Sequence, residues 1–416
     1  MKHKPFDIPK RLIYEAWKSV KRAAGGPGMD GITVDSYEEN LSGNLYKLWN
    51  RMSSGSYFPK PVKQVAIPKA DGRSRILGLP TVEDRIAQAA VKMKMEAVLE
   101  PLFHPDSYGY RPGVSAINAV ATCRKRCWYN DWVIDLDIAG CFDDIQHDLL
   151  LKAVDKHVTT KWERLYIVRW LKAGAITPDG ERIGTEMGTP QGAVISPLLC
   201  NLFLHYALDA WLGREMPNIR FERYADDGVY HCRTKAQAKY VLDRIRKRLR
   251  VLGLKLHPEK TKIVFCARGQ QAKDTAGAPR SFTFLGYDFK PRETHRDRSD
   301  KDLTFTPGVG KAAKKRLLER VKARKIHKRS DLSLEEIAKE INPMVRGWIN
   351  YFRHFRVGDL SSTLNRIDRR LMKWSKNKYK TGTRQAKRRL SRLKEQSPGL
   401  FAHWNFRSIR ASYGLL

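Results

Sequence analysis

The sequence predicts an α+β domain in residues 1–290, followed by an all-helical and strongly basic region. The first 290 residues mix helical patterns with short β-branched runs, and amphipathic basic runs follow them. A chain of 416 residues also exceeds what one ordinary hydrophobic core covers, so two or three domains are expected. Hydrophobic residues make up 42% of the chain, which is ample for packed cores.

The charge of the chain indicates a polyanionic partner. Net charge is +35 and the isoelectric point is about 10.0, and nucleic acid is the commonest partner of such a protein, with a membrane surface as the alternative. No apolar run reaches the length of a membrane span, and residues 1–5 lack a signal-peptide pattern. The six cysteines are scattered, so we expect reduced thiols and a cytoplasmic, nucleoid-associated protein without membrane contact.

Two adjacent carboxylates, Asp226 and Asp227, lie between short β-prone runs within residues 221–230. This pattern predicts a strand–turn–strand hairpin with the carboxylates at the turn. Adjacent like charges repel, so a cation between or beside them would explain the pair, and Mg²⁺ suits an oxygen-only site. A solvated acidic turn is the alternative.

A second strand that carries carboxylates is predicted at residues 132–138, where Asp135 and Asp137 share one face. Residues 142–148 then lead into a helix expected at 149–157. Asp137 and Asp226 are 89 residues apart, so only a long-range sheet contact could join them. Such a contact is what a two-metal phosphoryl-transfer site needs.

The C-terminal region reads as a small helical bundle with one basic face. Residues 291–416 hold 33 Lys and Arg against 12 Asp and Glu, a net +21. Helices are expected at 311–325, 334–355 and 360–374, interleaved with aromatic residues, which favours binding of a phosphate backbone. Polar stretches at 269–280 and 290–306 mark the boundary, and between them residues 281–289 predict a strand or hairpin with a glycine bend.

The order of motifs resembles the reverse transcriptases encoded by bacterial group II introns, in particular the compact subclass without an endonuclease domain. The resemblance rests on the following segments: 26–35, 65–80, 108–113, 137–142, 188–199, 224–227, 254–262, 284–287 and 347–353. It implies a right-hand polymerase fold with fingers and palm, followed by an all-α thumb. The parts it implies are an N-terminal extension (1–60), fingers and palm (61–290), a thumb or maturase bundle (291–380) and a basic C-terminal DNA- and RNA-binding segment (381–416).

The resemblance also implies the site. Two Mg²⁺ ions, with Mn²⁺ as a substitute, would be held by Asp137, Asp226, Asp227 and the main-chain carbonyl of Ile138. Lys260 would protonate pyrophosphate, although a solvated lysine is the alternative. The residues expected around the dNTP are Lys69 and Arg75 on the triphosphate, Phe142 against the sugar, and Gln191 and Gly192 in the pocket. An exposed hairpin with ordinary charges is the alternative for Lys69 and Arg75, and core packing is the alternative for Phe142. The residues expected on nucleic acid are the primer grip Phe284, Leu285, Gly286 and Tyr287, and the basic residues Lys311, Lys314, Lys315, Arg316, Arg388 and Arg389.

Other carboxylates near these motifs are interpreted differently. Asp135 lies one pair earlier on its strand than Asp137, away from the expected turn end. Asp143 and Asp144 are interpreted as helix-cap and template-side residues, and His147 as a helix-start residue without a catalytic role.

The function implied is RNA-directed DNA synthesis, with binding of intron RNA to promote splicing and retrohoming by target-primed reverse transcription. The expected partners are intron RNA, an RNA template–primer duplex, target DNA and dNTPs, while monomer and homodimer both stay open. Two alternatives remain: a related reverse transcriptase domesticated for repair or defence, and a non-catalytic RNA-binding maturase.

Overall fold

The computed structural model describes residues 4–68, 74–266, 277–297 and 300–406. It divides into two compact units. The first unit comprises Met1–Ser115 and Val133–Ile263, and the second comprises Ala116–Trp132 and Val264–Leu416. The structure mixes helices and sheets, which confirms the α+β class expected from the sequence.

The helices of the first unit are α1 (Lys10–Ala23), α2 (Val34–Glu38), α3 (Leu41–Ser54), α4 (Val82–Leu99), α6 (His147–Asp155), α7 (Lys161–Leu171), α8 (Ser196–Leu204), α9 (Ala210–Glu215) and α10 (Lys235–Val251). A π-helical turn, His205–Asp209, joins α8 to α9. The helices of the second unit are α5 (Ala116–Arg126), α11 (Lys311–Ala323), α12 (Leu334–Phe352), α13 (Val357–Tyr379) and α14 (Thr383–Gln396).

Three sheets are described. The first has strand order β2-β1-β4-β5, formed by β1 (Val62–Pro68), β2 (Ser74–Leu79), β4 (Ala175–Ile176) and β5 (Arg182–Ile183). The second has order β6-β7-β3-β8, with β9 also paired to β3, formed by β3 (Trp132–Ala139), β6 (Arg220–Tyr224), β7 (Asp227–Cys232), β8 (Lys255–Leu256) and β9 (Lys262–Phe265). The third has order β10-β11-β12, formed by β10 (Phe282–Phe284), β11 (Tyr287–Asp297) and β12 (Asp300–Val309).

The second sheet positions the acidic motifs. Strands β6 and β7 form the expected hairpin, with an antiparallel register from Arg220 opposite His231 to Tyr224 opposite Asp227. Strand β3 carries β-branched and leucine side chains toward the core, where Val133 and Ile134 are fully buried. Strand β3 lies between β7 and β8 in this sheet. Its carboxylates therefore lie next to the hairpin formed by β6 and β7.

In the second unit, the expected helical bundle is present and its helices begin with local signals. At the start of α12, Ser333 and Glu336 form a capping box, in which each side chain accepts a hydrogen bond from the other residue's backbone N–H. The apolar stripe of α12 is buried, and Ile341 and Val345 have no exposed surface. Within the described residues, no helix is both long and apolar enough to cross a bilayer.

Two local expectations differ from the structure. The helix after the β3 motif begins at His147 with Gln146 at its N-cap, so Asp143 and Asp144 do not cap it. Their backbone N–H groups instead bond to the Gly140 carbonyl in a turn. Residues 290–297 and 300–306, whose polar composition was interpreted as a boundary, belong to the paired strands β11 and β12. The solvated face of a hairpin accommodates such polar residues.

The aromatic residues of the bundle also differ from expectation. Phe352, Phe355 and Trp374 are at most 7% exposed, so they pack the core of the second unit and present little surface to a ligand. The glycine bend predicted within residues 281–289 is present, with φ of 51° at Leu285 and 81° at Gly286 between β10 and β11.

Candidate active site

The second sheet brings the separated carboxylates together. Asp137 lies near the end of β3, Asp227 opens the neighbouring strand β7, and Asp226 lies in the turn before it. Burial raises the pKa of Asp226 and Asp227, and repulsion from the neighbouring Asp137 raises both further, which reflects how close the carboxyl groups are. The 89-residue separation in sequence is therefore closed by the pairing of β3 with β7.

The turn that carries Asp226 is held from inside the protein. Ala225 has a φ of 57°, in the left-handed region that non-glycine residues seldom adopt. The buried Arg223 guanidinium donates a hydrogen bond of 3.1 Å to the Ala225 carbonyl and two to the Asp209 carboxylate, at 2.8 and 2.5 Å. It also donates to Asn201 Oδ1 at 3.0 Å, so an ion pair with almost no exposed surface supports the strained turn.

A glycine makes room for the same turn. The Asn201 side chain donates a 2.6 Å hydrogen bond to the Gly109 carbonyl. A Cβ atom on Gly109 would lie 2.4 Å from the Ala225 backbone nitrogen, closer than any real contact, so only glycine fits beside the turn. Sequence reasoning missed Asp209 and Asn201 because no local signal links them to a hairpin that starts at residue 220.

The electrostatics of the cluster favour a cation. Loss of hydration, followed by repulsion from Asp226, Asp137 and Asp135, raises the pKa of Asp227 to about 7, although Asp227 as a residue is exposed. Burial raises the pKa of Asp135 to about 7 despite Lys262, whose ammonium lies 3.6 Å away. Burial and the neighbouring Asp137 also raise the pKa of Asp226.

Asp137 forms the shorter of the two lysine contacts made by Asp135 and Asp137. The Lys260 ammonium lies 2.9 Å from its Oδ2 atom. Its main-chain carbonyl accepts hydrogen bonds from the His257 backbone N–H at 2.8 Å and the Thr261 hydroxyl at 3.3 Å. The loop between β8 and β9 thus fixes the backbone of β3 at the point where the carboxylate projects.

The residues present fit a hard divalent cation. The donors are carboxylate oxygens from two adjacent strands, which is the ligand chemistry that Mg²⁺ and Mn²⁺ prefer. Carboxylates whose pKa values are raised by burial and by repulsion from one another are stabilised by a cation that neutralises them. The Ile138 residue that follows Asp137 is 2% exposed and lies opposite Leu256 of β8.

Two residues expected at the nucleotide pocket, Arg75 and Gln191, are connected to each other and to Asp143, which was not expected there. Arg75 Nε donates a 2.6 Å hydrogen bond to Gln191 Oε1, and Gln191 Nε2 lies 3.2 Å from Asp143 Oδ2. These three side chains line a cleft of about 440 Å³ between the first sheet and the loop that contains Gln191. Lys69, expected beside Arg75, lies outside the described residues.

Two further residues expected at the nucleotide pocket, Gly192 and Phe142, do not line this cleft and have close backbone contacts instead. Gly192 has a φ of 109°, and a Cβ atom on it would lie 3.0 Å from the Gly78 carbonyl oxygen. The backbone conformation at position 192 therefore requires glycine. This reason is separate from the close approach of a ligand that the sequence led us to expect. Phe142 is 6% exposed, and its carbonyl accepts a 2.7 Å hydrogen bond from the Thr189 backbone N–H.

Tyr110 is a candidate that sequence reasoning did not single out. It has a φ of 57° and is 47% exposed, and its ring centroid lies 6.2 Å from that of Tyr224. Burial of its hydroxyl and the Asp226 charge raise the pKa of Tyr110, which places the phenol in the field of the cluster. Tyr110 lies in the motif at 108–113, but its left-handed backbone conformation is visible only in the structure.

In the second unit, the segment expected as the primer grip is partly core. Phe284 and Tyr287 are at most 2% exposed, and the Tyr287 hydroxyl bonds to the Tyr351 carbonyl. Only the turn formed by Leu285 and Gly286 lines an open groove, of about 510 Å³.

The basic residues expected on nucleic acid differ in their surroundings. Arg316 is exposed and lines the groove with Leu285 and Gly286. Lys314 lies 3.9 Å from Asp359 Oδ2, Lys315 lies 3.8 Å from Glu319 Oε1, and the Lys311 backbone N–H donates to Asp288. On α14, Arg388 is exposed, while the Arg389 guanidinium lies 3.8 Å from the Tyr379 ring centroid.

Comparison with known families matches both parts of the chain. Residues 67–289 match the family described as reverse transcriptase (RNA-dependent DNA polymerase). Residues 314–393 match the family described as the group II intron, maturase-specific domain.

Curated proteins similar to this chain extend the comparison. Protein YkfC of Escherichia coli (strain K12) is 34% identical over 279 residues, which are 58% of this chain and 73% of that protein. The putative COX1/OXI3 intron 2 protein of Saccharomyces cerevisiae is 31% identical over 210 residues, 50% of this chain and 24% of that protein. The group II intron-encoded protein LtrA of Lactococcus lactis subsp. cremoris is 32% identical over 197 residues, 47% of this chain and 32% of that protein. The matched segment thus spans only about a quarter to a third of the two intron proteins.

Proposed function

This chain belongs to the reverse transcriptase family and carries a group II intron maturase-specific domain, and on that basis we propose that it copies RNA into DNA for a group II intron. As part of the same role, it binds the intron RNA, promotes its splicing and primes cDNA synthesis at a DNA target. The likeness to LtrA, a group II intron-encoded protein, supports this reading.

The observation that carries the polymerase activity is the cluster of Asp137, Asp226 and Asp227. Two divalent cations, which we take to be Mg²⁺, would be held by these carboxylates and the main-chain carbonyl of Ile138. When bound, such ions lower the pKa of a primer 3′-hydroxyl and stabilise the departing pyrophosphate. The pKa of about 7 for Asp227 supports the assignment, because an isolated acidic turn would not need a neutralising partner.

The chain's own residues orient the nucleotide. Arg75 and Lys69 supply cations for the triphosphate, and Arg75 is already held by Gln191 at 2.6 Å. Phe142 closes the pocket against a 2′-hydroxyl, which favours dNTPs over rNTPs. Lys260, 2.9 Å from Asp137, is near enough to the cluster to give a proton to the leaving pyrophosphate.

The second unit supplies the nucleic-acid surface. The groove between the Leu285–Gly286 turn and α11 has the exposed cations Arg316 and Arg320 on its rim and Trp348 in its wall. Cations beside an apolar groove suit a sugar–phosphate backbone, whose binding weakens as salt rises. Arg316 and Arg388 are better placed for this role than Lys314, which already faces Asp359.

Primer extension on an RNA template tests the proposed function. The full-length protein should extend the primer with dNTPs, extend poorly with rNTPs, and stop when EDTA removes Mg²⁺. Asp226→Asn should abolish extension while leaving the affinity for template–primer nearly unchanged. Asp148 is an exposed carboxylate on α6, and Asp148→Asn serves as the control that should extend the primer normally. Extension by Asp226→Asn at the wild-type rate would exclude the cluster as the catalytic centre.

The non-catalytic maturase is the competing function. A non-catalytic maturase would bind RNA but would not extend a primer with any divalent cation. None of the three carboxylates is replaced, which favours the enzyme. A domesticated repair or defence enzyme would extend primers equally well, and the presence of an intron ribozyme in the flanking DNA separates the two.

A further inference from the structure

A small pocket in the first unit shares no lining residue with the carboxylate cluster or the nucleotide cleft. It has a volume of about 190 Å³ and lies among α6, α10 and the π-helical turn His205–Asp209. Its polar side chains are Lys152, Lys156, Tyr206 and Arg248, and the other described lining residues are apolar. Three cations and no carboxylate therefore line this pocket within the described part of the chain.

The π-helical turn builds one side of the pocket. Arg248 of α10 donates hydrogen bonds to the backbone carbonyls of Tyr206, at 3.3 Å, and Ala207, at 3.1 Å. The guanidinium is thereby fixed at the pocket wall. Short π-helical turns often mark functional sites, because the extra residue in the turn is retained at a cost in helix geometry.

Tyr206 is the ordered aromatic side chain of the pocket. Its hydroxyl lies 2.6 Å from His157 Nε2, and the two rings stack with centroids 5.9 Å apart. The Lys156 ammonium lies 4.7 Å from the Tyr206 ring centroid. These contacts hold the ring in place, so binding beside it costs little side-chain entropy.

The cations at the mouth are available to a ligand. Lys152 and Lys156 are exposed, and neither forms an ion pair with another described residue. With Arg248 they surround a pocket smaller than the roughly 300–1,000 Å³ typical of sites for whole drug-sized molecules. A single planar ring flanked by phosphates matches both the size and the charge.

We propose that this pocket binds one unpaired nucleotide of RNA, with the base beside Tyr206 and its flanking phosphates on Lys152, Lys156 and Arg248. Structured RNA is recognised largely through bases that leave the stack in loops and bulges and pack on aromatic or arginine side chains. The choice of RNA over DNA rests on the proposed function. The match between the pocket and a single nucleotide rests only on the residues that line it. The pocket would give the protein an RNA contact that stays open while template and primer fill the polymerase cleft.

Photocrosslinking tests the site in the full-length protein. The polymerase cleft is first filled with template–primer duplex, and a short single-stranded RNA containing 4-thiouridine is then added and irradiated. Mass spectrometry should find the crosslink at Tyr206 or a residue that lines the same pocket. Crosslinks confined to other surfaces would overturn the assignment.

A matched pair of variants separates the pocket from net charge. Lys152→Gln with Lys156→Gln should remove the pocket crosslink and reduce the slope of log K against log salt by about 1.4, since each single-strand phosphate contact contributes about 0.7. Lys239→Gln with Arg250→Gln removes the same charge from exposed positions of α10 that do not line the pocket. Equal effects of the two double variants would show that only overall charge matters.

Two further arms keep the outcomes distinct. A DNA oligonucleotide of the same sequence should compete poorly for the pocket crosslink, and equal competition would overturn the choice of RNA. Primer extension by the Lys152, Lys156 double variant should match the wild type at saturating template–primer. Failure of extension in the wild type itself would count against the proposed polymerase and leave the crosslinking result to stand separately.

Discussion

The ammonium nitrogen of Lys260 lies 2.9 Å from Oδ2 of Asp137, so a lysine is the nearest counter-ion of the carboxylate cluster. The lysine side chain is 53% exposed, and a pair this accessible contributes at most about 1 kcal/mol to stability. Its importance lies in its position, because a divalent cation at Asp137 would compete with it for the same oxygen.

Lys260→Gln should therefore bind divalent cations more tightly in the absence of substrate. The variant lacks the ammonium that competes for Asp137 and that also lies in the field of Asp226 and Asp227. Mn²⁺ binding followed by electron paramagnetic resonance should give a lower dissociation constant than the wild type. Lys255 is an exposed lysine on β8, and Lys255→Gln should leave the dissociation constant unchanged. Weaker Mn²⁺ binding by Lys260→Gln would show that Lys260 does not compete with the metal ion.

The carboxylate cluster should make the metal-free protein less stable as pH rises. The pKa values of Asp135 and Asp227 are about 7 in the folded chain and near 3.8 in the unfolded chain. A raised pKa means that the folded state holds its protons longer, so this contribution is fully present below about pH 4 and is lost as pH rises to about 7.

The difference in melting temperature between Asp227→Asn and the wild type, measured in EDTA, should accordingly grow from pH 5 to pH 8. Excess Mg²⁺ at pH 8 should shrink or reverse that difference, because the ion stabilises only the intact cluster. Asp148→Asn should show no such trend. A constant difference across this range would mean that Asp227 is not destabilised in the fold.

The buried pair of Arg223 and Asp209 should be far more important for stability than a surface pair of similar geometry. Asp209→Asn leaves a guanidinium with 1% exposure without its counter-charge, which costs about 3–5 kcal/mol of unfolding free energy. Asp155→Asn breaks the pair between Asp155 and Arg164, also at 2.5 Å but roughly half exposed, and should cost no more than about 1 kcal/mol. Urea unfolding of the three proteins measures the contrast, and equal costs would refute it.

Gly109 should control the position of the catalytic turn. Gly109→Ala places a Cβ atom 2.4 Å from the Ala225 nitrogen, so the turn carrying Asp226 must shift. We expect a large loss in the rate of primer extension and a higher Mg²⁺ requirement, as small displacements of reacting groups are costly. Gly213→Ala on α9, where a Cβ would meet nothing within 4 Å, should extend normally. Normal extension by Gly109→Ala would show that the turn tolerates the shift.

Local patterns carried much of the fold. The hairpin at 220–232, the strand at 132–139 and the helices α11, α12 and α13 follow from β-branched runs and apolar stripes that need no distant information. The capping role given to Asp143 and Asp144 was wrong and the strands β11 and β12 were missed, since polar segments without periodicity do not distinguish a turn, a helix cap and a solvated strand. The burial of Trp374 and Phe355 was likewise hidden, because an aromatic on an amphipathic helix can face either way.

The sequence by itself determined the chemistry of this protein: adjacent carboxylates in a hairpin, a third on another strand, and a large positive charge. Only the tertiary structure decided which groups meet. The pairing of β3 with β7 joins Asp137 to Asp227, and burial of Arg223 against Asp209 supports the Ala225 turn. The physical reason is that residue type and local periodicity depend only on residues close together in the sequence. Proximity between distant residues depends instead on how strands and helices share one core.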